Sequence, residues 1–286
     1  MKNPVIVILL CGVFQTQVNA ELGMVIEGDP IIAFRTAKKD AEQGDVESQY
    51  RLGRMYAQGL IVQRNTKKSF RWLEKAAQQD HQQALYFLGQ MHLSGSGDLQ
   101  KDHQKGVAYL TRAAELGLPE AKKKLVSLYL YPRQIRHKNI TEGMKWLVDS
   151  AENGDPSMQV MLGVMYMNGV NTDQDREKGI HWIESSAAQG NADALFELSM
   201  IYFTGKHLPR DRVKSRCMLG LSILHEAGTV KTEQDREKKR KKRQLLDTLN
   251  EQMSRRQKKK SRKMAVDWLN MHQVNGVDAT RIDNIL

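Results

Sequence analysis

Hydrophobic positions in this chain fall into columns that recur along most of its length. Trp72, Tyr109, Trp146, Trp182 and Met218 stand 37, 37, 36 and 36 residues apart, a period that marks arrays of helical pairs. Within each period Leu52, Leu88, Leu125, Leu162 and Leu198 form one column. Tyr56, His92, Tyr129, Tyr166 and Tyr202 form another, four residues on. That step places both on one buried face of a helix. Gly53, Gly89 and Gly163 follow the leucine, where a missing side chain admits a neighbouring helix. Gly59, Gly95, Gly169 and Gly205 come three residues after the second column and stop the helix, with Pro132 in that role in the third unit. A second helix then carries the Trp or Tyr column into small residues, Ala76-Ala77, Ala113-Ala114, Ser150-Ala151 and Ser186-Ala187. Gly117, Gly154 and Gly190 end it, and Asp80 is the exception. Each period therefore predicts two antiparallel helices.

The order Leu-Gly-x-x-Tyr-x-x-Gly, Asp-x-x-Lys-Gly, Trp-Leu-x-x-Ala-Ala-x-x-Gly resembles the Sel1-like repeat family, relatives of the tetratricopeptide repeats. Five units span residues 45–228, and residues 31–44 read as the second helix of an incomplete unit before them. Val126, Ser199 and Met218 are local departures from the pattern. The resemblance implies an all-α, right-handed superhelical solenoid of antiparallel helix pairs. It also implies a protein-protein interaction scaffold or adaptor of the cell envelope, not an enzyme, with its partner on the concave face and the chain acting as a monomer.

Residues 1–20 hold one Lys, an apolar run from Val5 to Phe14 and the ending Val18-Asn19-Ala20. They read as a secretory signal peptide cleaved after Ala20, with an N-terminal membrane anchor as the alternative. The expected address is therefore periplasmic or secreted. Residues 21–30 form a leader without periodicity. Of the two cysteines, Cys11 leaves with the signal, so the mature chain has no internal disulfide, and Cys217 reads as a packing residue.

The repeats carry no recognisable catalytic, cofactor or metal motif. No histidine stands in a His-Glu-x-x-His or Cys-x-x-Cys setting. His92 and His181 read as structural, Gly95-Ser96-Gly97 as a turn, and Asn139-Ile140-Thr141 as a weak glycosylation sequon. The unusual helix covers residues 155–168, where Val160, Met161, Val164 and Met167 make it apolar nearly all round. Two readings stay open: an adaptable partner-binding patch on the concave face, or a face covered by the fold itself. The candidate partner contacts are Met161, Val164 and Met167 with Arg54, Gln90 and Lys124. A hydrolase acting on envelope polymers, or a regulator of one, is the competing class.

Charge changes the picture only at the C-terminal end. Residues 231–263 hold fifteen Lys and Arg against five acids, which is ten of the eleven net positive charges of the chain. Leu245, Leu246, Leu249 and Met253, then Met264, Ala265, Trp268 and Leu269, keep helical spacing between the charge clusters. Residues 229–273 are thus expected to be basic helices capping the last repeat. Their candidate basic surface is Lys238, Lys239, Arg240, Lys241, Lys242, Arg243, Lys258, Lys259 and Lys260. An anionic membrane or an acidic protein suits that surface in an exported protein better than nucleic acid does. Residues 274–286 give no clear signal and are a candidate for partial disorder.

Overall fold

The computed structural model describes residues 29–59, 61–97, 99–131, 139–226, 232–272 and 281–286. The signal-peptide, Pro132 and 274–280 readings lie outside these residues. Among the described residues the fold is all α-helix in regular elements, fourteen in number. They are α1 (Pro30–Glu42), α2 (Val46–Gln58), α3 (Thr66–Gln78), α4 (Gln82–Ser94), α5 (His103–Glu115), α6 (Pro119–Leu130) and α7 (Ile140–Glu152). After these come α8 (Pro156–Asn168), α9 (Arg176–Ala188), α10 (Ala192–Thr204), α11 (Arg212–His225), α12 (Glu233–Gln252), α13 (Arg255–His272) and α14 (Ile282–Ile285). The chain divides into two compact units, Met1–Gly143 and Met144–Leu286.

Polar caps start the helices. The Asp45, Asn65, Asp102, Asp155, Asp175, Asn191 and Asp211 side chains each accept a backbone N–H from the first turn of the helix that follows. At the far end of the first helices, Gly59, Gly169 and Gly205 turn left-handed, with φ of 74°, 67° and 70°. Asp80 adopts the same conformation as the glycines it replaces, with φ 60°. Its carboxylate is held by Arg112.

Close approach of the two helices in each repeat is the source of the glycine columns. A Cβ on Gly89 would lie 2.8 Å from Cγ of Leu110 and 3.0 Å from the carbonyl oxygen of Gly106. One on Gly163 would lie 2.7 Å from the Gly179 oxygen and 2.7 Å from Cγ1 of Ile183. The fifth repeat keeps the approach with serines: Ser199 Oγ donates to the Ser215 carbonyl at 2.9 Å. Around these contacts Leu52, Leu88, Leu125, Leu162 and Leu198 are buried, as are Leu73, Leu110, Leu147, Ile183 and Leu219. The aromatic column lies one residue before that second set. Only Trp146 in it is buried, while Trp72, Tyr109, Trp182 and Met218 are half-buried.

Hydrogen bonds fasten the helices both across repeat boundaries, from Gln49 and Gln159, and within single repeats. Gln49 Nε2 donates to the Ala41 carbonyl at 3.3 Å, and Gln159 repeats this on Ala151 at 3.0 Å. Gln79 and Gln189 donate in turn to Gln49 and Gln159, at 3.0 and 2.9 Å. In the second unit Ser186 and Ser222 reach back to the Pro156 and Ala192 carbonyls, at 2.7 and 2.6 Å.

The last repeat is covered by α12, α13 and α14. Leu246, Leu249 and Met253 pack with Leu219, Phe196 and Phe203, and Ala265, Leu269 and Ile282 join the cluster around Cys217 and Leu221. Arg216 ties these elements together from the buried side of α11. Its Nε donates to Asn250 Oδ1 at 2.8 Å, Nη1 to the Lys258 carbonyl at 3.3 Å, and Nη2 to the Leu286 oxygen. Residues 281–286 are thus ordered: Ile282 is buried, and Leu286 fills the space left open by Gly220.

Gly163→Ala forces a methyl group into the backbone of α9. The expected loss is about 1–3 kcal/mol of unfolding free energy, measured by urea denaturation with circular dichroism. An unchanged midpoint would contradict a tight helix contact at this position.

Candidate functional site

In the first unit, the first helices of two successive repeats present an ordered cluster of aromatic and cationic side chains. Tyr50 and Arg54 lie one turn apart on α2, and Tyr86 and Phe87 lie on α4. The Arg54 guanidinium carbon stands 4.2 Å from the centre of the Phe87 ring, and Nη1 donates to the Tyr50 hydroxyl at 3.0 Å. Tyr50 stacks on His81, with ring centres 4.5 Å apart and planes 24° apart. Tyr86 meets Phe87 edge-on at 6.1 Å. All five side chains are half-buried.

His81 fixes the back of this cluster. Its Nδ1 accepts the Ala84 N–H at 3.2 Å, capping α4, which leaves Nε2 to donate to Glu47 Oε2 at 3.1 Å. The other Glu47 oxygen accepts from Arg51 Nε at 2.8 Å. Burial pushes the Glu47 carboxyl up, but the His81 and Arg51 hydrogen bonds outweigh it and hold the pKa below its ordinary value. The carboxylate therefore stays charged and keeps the imidazole in place under Tyr50. An exposed cation–π contact is worth roughly 0.5–1 kcal/mol, and about 2 when desolvated. A partner covering Arg54 and Phe87 would strengthen the contact that already orders them.

Of the six candidates read from the sequence, Arg54 is in this cluster, and Gln90 lies on the same face of α4, three residues beyond Phe87. Lys124 is half-buried on α6, with no hydrogen bond or ring contact to the cluster. Met161 and Val164 are half-buried in the second unit, where Val164 packs against the core. Met167 is buried, at 5% exposure, and is not a surface contact. It fills the space over Gly179, as Leu93 does over Gly106 and Leu130 over Gly143. Tyr50, Tyr86 and Phe87 were the residues missed. Tyr50 and Tyr86 share the column two residues before the leucine, which holds Lys123 and Val160 in later units, and Phe87 stands in the column of Lys124 and Met161. Neither column is aromatic throughout, although aromatic residues beside an arginine on one helix face are a readable signal.

The basic candidates also separate. Lys242 is buried and belongs to the interior: its ammonium donates to Glu226 at 2.6 Å and to Ser222 at 2.8 Å, and lies 5.0 Å from the Phe196 ring centre. Glu237 pairs with Arg240 and Lys241, and Asp193 pairs with Lys238. Lys239 and Arg243 remain without ion pairs among the described residues, as do Lys259 and Lys260, and Lys258 is half-buried.

No group of His, Cys, Asp or Glu among the described residues is placed to hold a metal ion. A groove of about 360 Å³ in the first unit is lined by Thr66, Lys67, Phe70, Arg71, Glu74 and Leu99. Glu74 is its one carboxylate, pushed up by burial. Cys217 is fully buried, which drives its thiol pKa up to about 12. His181 meets Trp182 edge-on at 6.0 Å.

Models of the family described as Sel1 repeat match residues 46–81, 82–118, 156–191 and 192–216. The unmatched interval between them contains the third unit, with its Val126 and Pro132 departures. In fold the chain is similar to c5321, a protective antigen present in uropathogenic Escherichia coli strains displaying an SLR fold. That match has 19% identity and a TM-score of 0.66, and covers 94% of this chain and 54% of that one. The chain therefore spans about half the length of that neighbour. It is also similar to a Sel1 repeat protein from Oxalobacter formigenes, at 28% identity and a TM-score of 0.58, over 73% of this chain and 85% of that one. No curated protein matches it in sequence.

A buried histidine in the first unit and a half-buried one in the second give stability a pH dependence. His92 stacks on Tyr109 with ring centres 5.6 Å apart, and burial holds its pKa below the ordinary 6.5, against the opposing pull of Asp102. Burial lowers His225 in the same way. Near pH 6.5 the unfolded chain binds more protons at these positions than the folded one, so stability rises with pH. It is fully present above that value and is lost as pH falls through the folded pKa values. Urea midpoints are expected to drop from about pH 7 to about pH 5, and to drop less in His92→Tyr, which restores the residue of the column. Equal drops in both proteins would contradict the assignment.

Proposed function

Taking the chain as the Sel1 repeat protein that its four matched repeats make it, we propose that it is a non-catalytic scaffold of the cell envelope. It binds a partner protein on the first-helix face of its first unit. Sel1 repeats generally mediate protein-protein interaction. What carries the reading on this chain is the Tyr50, Arg54 and Phe87 cluster: tyrosine and arginine held rigidly at a half-exposed centre are the side chains that dominate binding energy at interfaces. Because Arg54 is already ordered by Phe87 and Tyr50, little side-chain entropy is lost when a partner arrives. The chemistry suits a segment that offers a carboxylate to the guanidinium and an apolar side chain to the rings. Gln90 extends this surface, and Met161 in the second unit is a separate apolar contact.

The test is photo-crosslinking in cells from position Phe87, with Met161 as a second probe, followed by mass spectrometry and affinity measurement with the captured protein. Tyr50→Ala and Arg54→Ala are each expected to weaken binding about 30-fold. Capture at Phe87 that neither substitution affects would overturn the site.

Export belongs to the same proposal. The motivating features are the apolar run from Val5 to Phe14 and the Val18-Asn19-Ala20 ending. Intact-mass measurement of the protein from an envelope fraction is expected to give a chain that begins at Glu21. A chain retaining residues 1–20 in the cytoplasm would rule this out.

A further inference from the structure

The cations of α12 and α13 have different fates. On α12 the charges are largely neutralised within the fold, through Glu233, Glu237, Asp193 and Glu226. On α13, among the described residues, only Arg262 is paired, with Asp283 of α14. Arg255, Arg256, Lys259, Lys260 and Lys263 are exposed and have no ion pair among the described residues. Ser261, Ala265 and Leu269 anchor the opposite face of the helix in the fold, so the cations form a fixed outward stripe.

This stripe works against the stability of its own helix. The first turn of α13 contains no acid and two arginines, where the helix dipole favours negative charge. Arg255 and Lys259, Arg256 and Lys260, and Lys259 and Lys263 are like-charged neighbours one turn apart. The Ser254 and Gln257 capping box starts the helix without relieving the charge. An anionic surface docked outside would relieve it.

Which surface is indicated by the rest of the stripe. Arg256, Lys260, Lys263, Asp267 and Met271 follow one another at helical spacing and are all exposed. Met271, 77% exposed, is the most exposed large hydrophobic residue among those described. Asp267 is the one carboxylate on the line. The run from Arg256 to Met271 is about 22 Å long at 1.5 Å per residue. Trp268, the aromatic residue of this helix, is turned inward between His225 and His272, leaving no platform on which a base could stack. Cations beside an exposed apolar side chain on one helix face match the boundary between lipid headgroups and acyl chains. Among the described residues no helix is long and apolar enough to cross a membrane, so the contact is peripheral.

We propose that the outward face of α13 docks the protein on anionic phospholipid, with Arg255, Arg256, Lys259, Lys260 and Lys263 at the headgroups and Met271 at the acyl boundary. The experiment is co-sedimentation of the full chain with vesicles of phosphatidylcholine alone and of phosphatidylcholine mixed with phosphatidylglycerol. The quantity read is the excess binding to the anionic vesicles, because the apolar run from Val5 to Phe14 would bind both. That excess should fall as salt rises. Each of Arg256→Gln, Lys260→Gln and Lys263→Gln should weaken it about fivefold at low salt, with helicity unchanged, and Met271→Ser should weaken it further. The paired Arg240→Gln and Lys241→Gln serve as controls and should leave it close to that of the unmodified chain. Three results would overturn the proposal: no excess binding, equal weakening by the α12 controls, or preferential binding of an oligonucleotide that displaces the protein from anionic vesicles.

Discussion

Contact between the two helices of each repeat is the constraint on which the rest of this structure depends. Where Gly163 meets Gly179, or Gly89 meets Gly106, backbone lies against side chains and carbonyls with no room for a Cβ. Such an approach lets the leucines on both helices interlock and makes many short-range dispersion contacts that a wider spacing would forfeit. It also explains why the fifth repeat can replace its glycines with Ser199 and Ser215: the hydroxyl supplies a hydrogen bond across the same gap.

With the helix pair fixed, the first helices have a defined outward face, and its side chains are free to differ between repeats. In the first unit that freedom yields Tyr50, Arg54 and Phe87, held by one another and by His81 and Glu47. In the second unit the corresponding helices are more apolar, and much of that surface belongs to the core. The last repeat has no following pair to cover it. Helices α12 to α14 take that place, and Arg216 joins three of their segments through one buried guanidinium. A charge buried this deeply is tolerated because its donors are matched by acceptors on each element it touches.

The helix pairs were legible in the sequence because the period, the leucine column and the glycine stops all say the same thing. Features that depend on partners distant in sequence were not. Met167 looked like part of an apolar surface, yet alignment with Leu93 and Leu130 would have placed it in the core. Lys242 looked like one more surface cation among six, and only its position opposite Glu226 and Ser222 makes it interior. Tyr50 recurs as Tyr86 but its column turns to Lys123 and Val160 in later units, and the column of Phe87 holds Lys124 and Met161, so periodicity, which finds what recurs throughout, passes over them. The short helix at Ile282–Ile285 carries too few residues to show a period, and its order comes from Arg216 and Gly220.

The central claim is that the first-helix face around Tyr50, Arg54 and Phe87 is the partner-binding surface. Hydrogen exchange of the chain, alone and saturated with its purified partner, tests it most directly, because protection maps where opening is suppressed without altering any residue. The account predicts added protection concentrated in α2 and α4, with α12 unchanged. Protection confined to the second helices α3 and α5, or to the second unit, would contradict it.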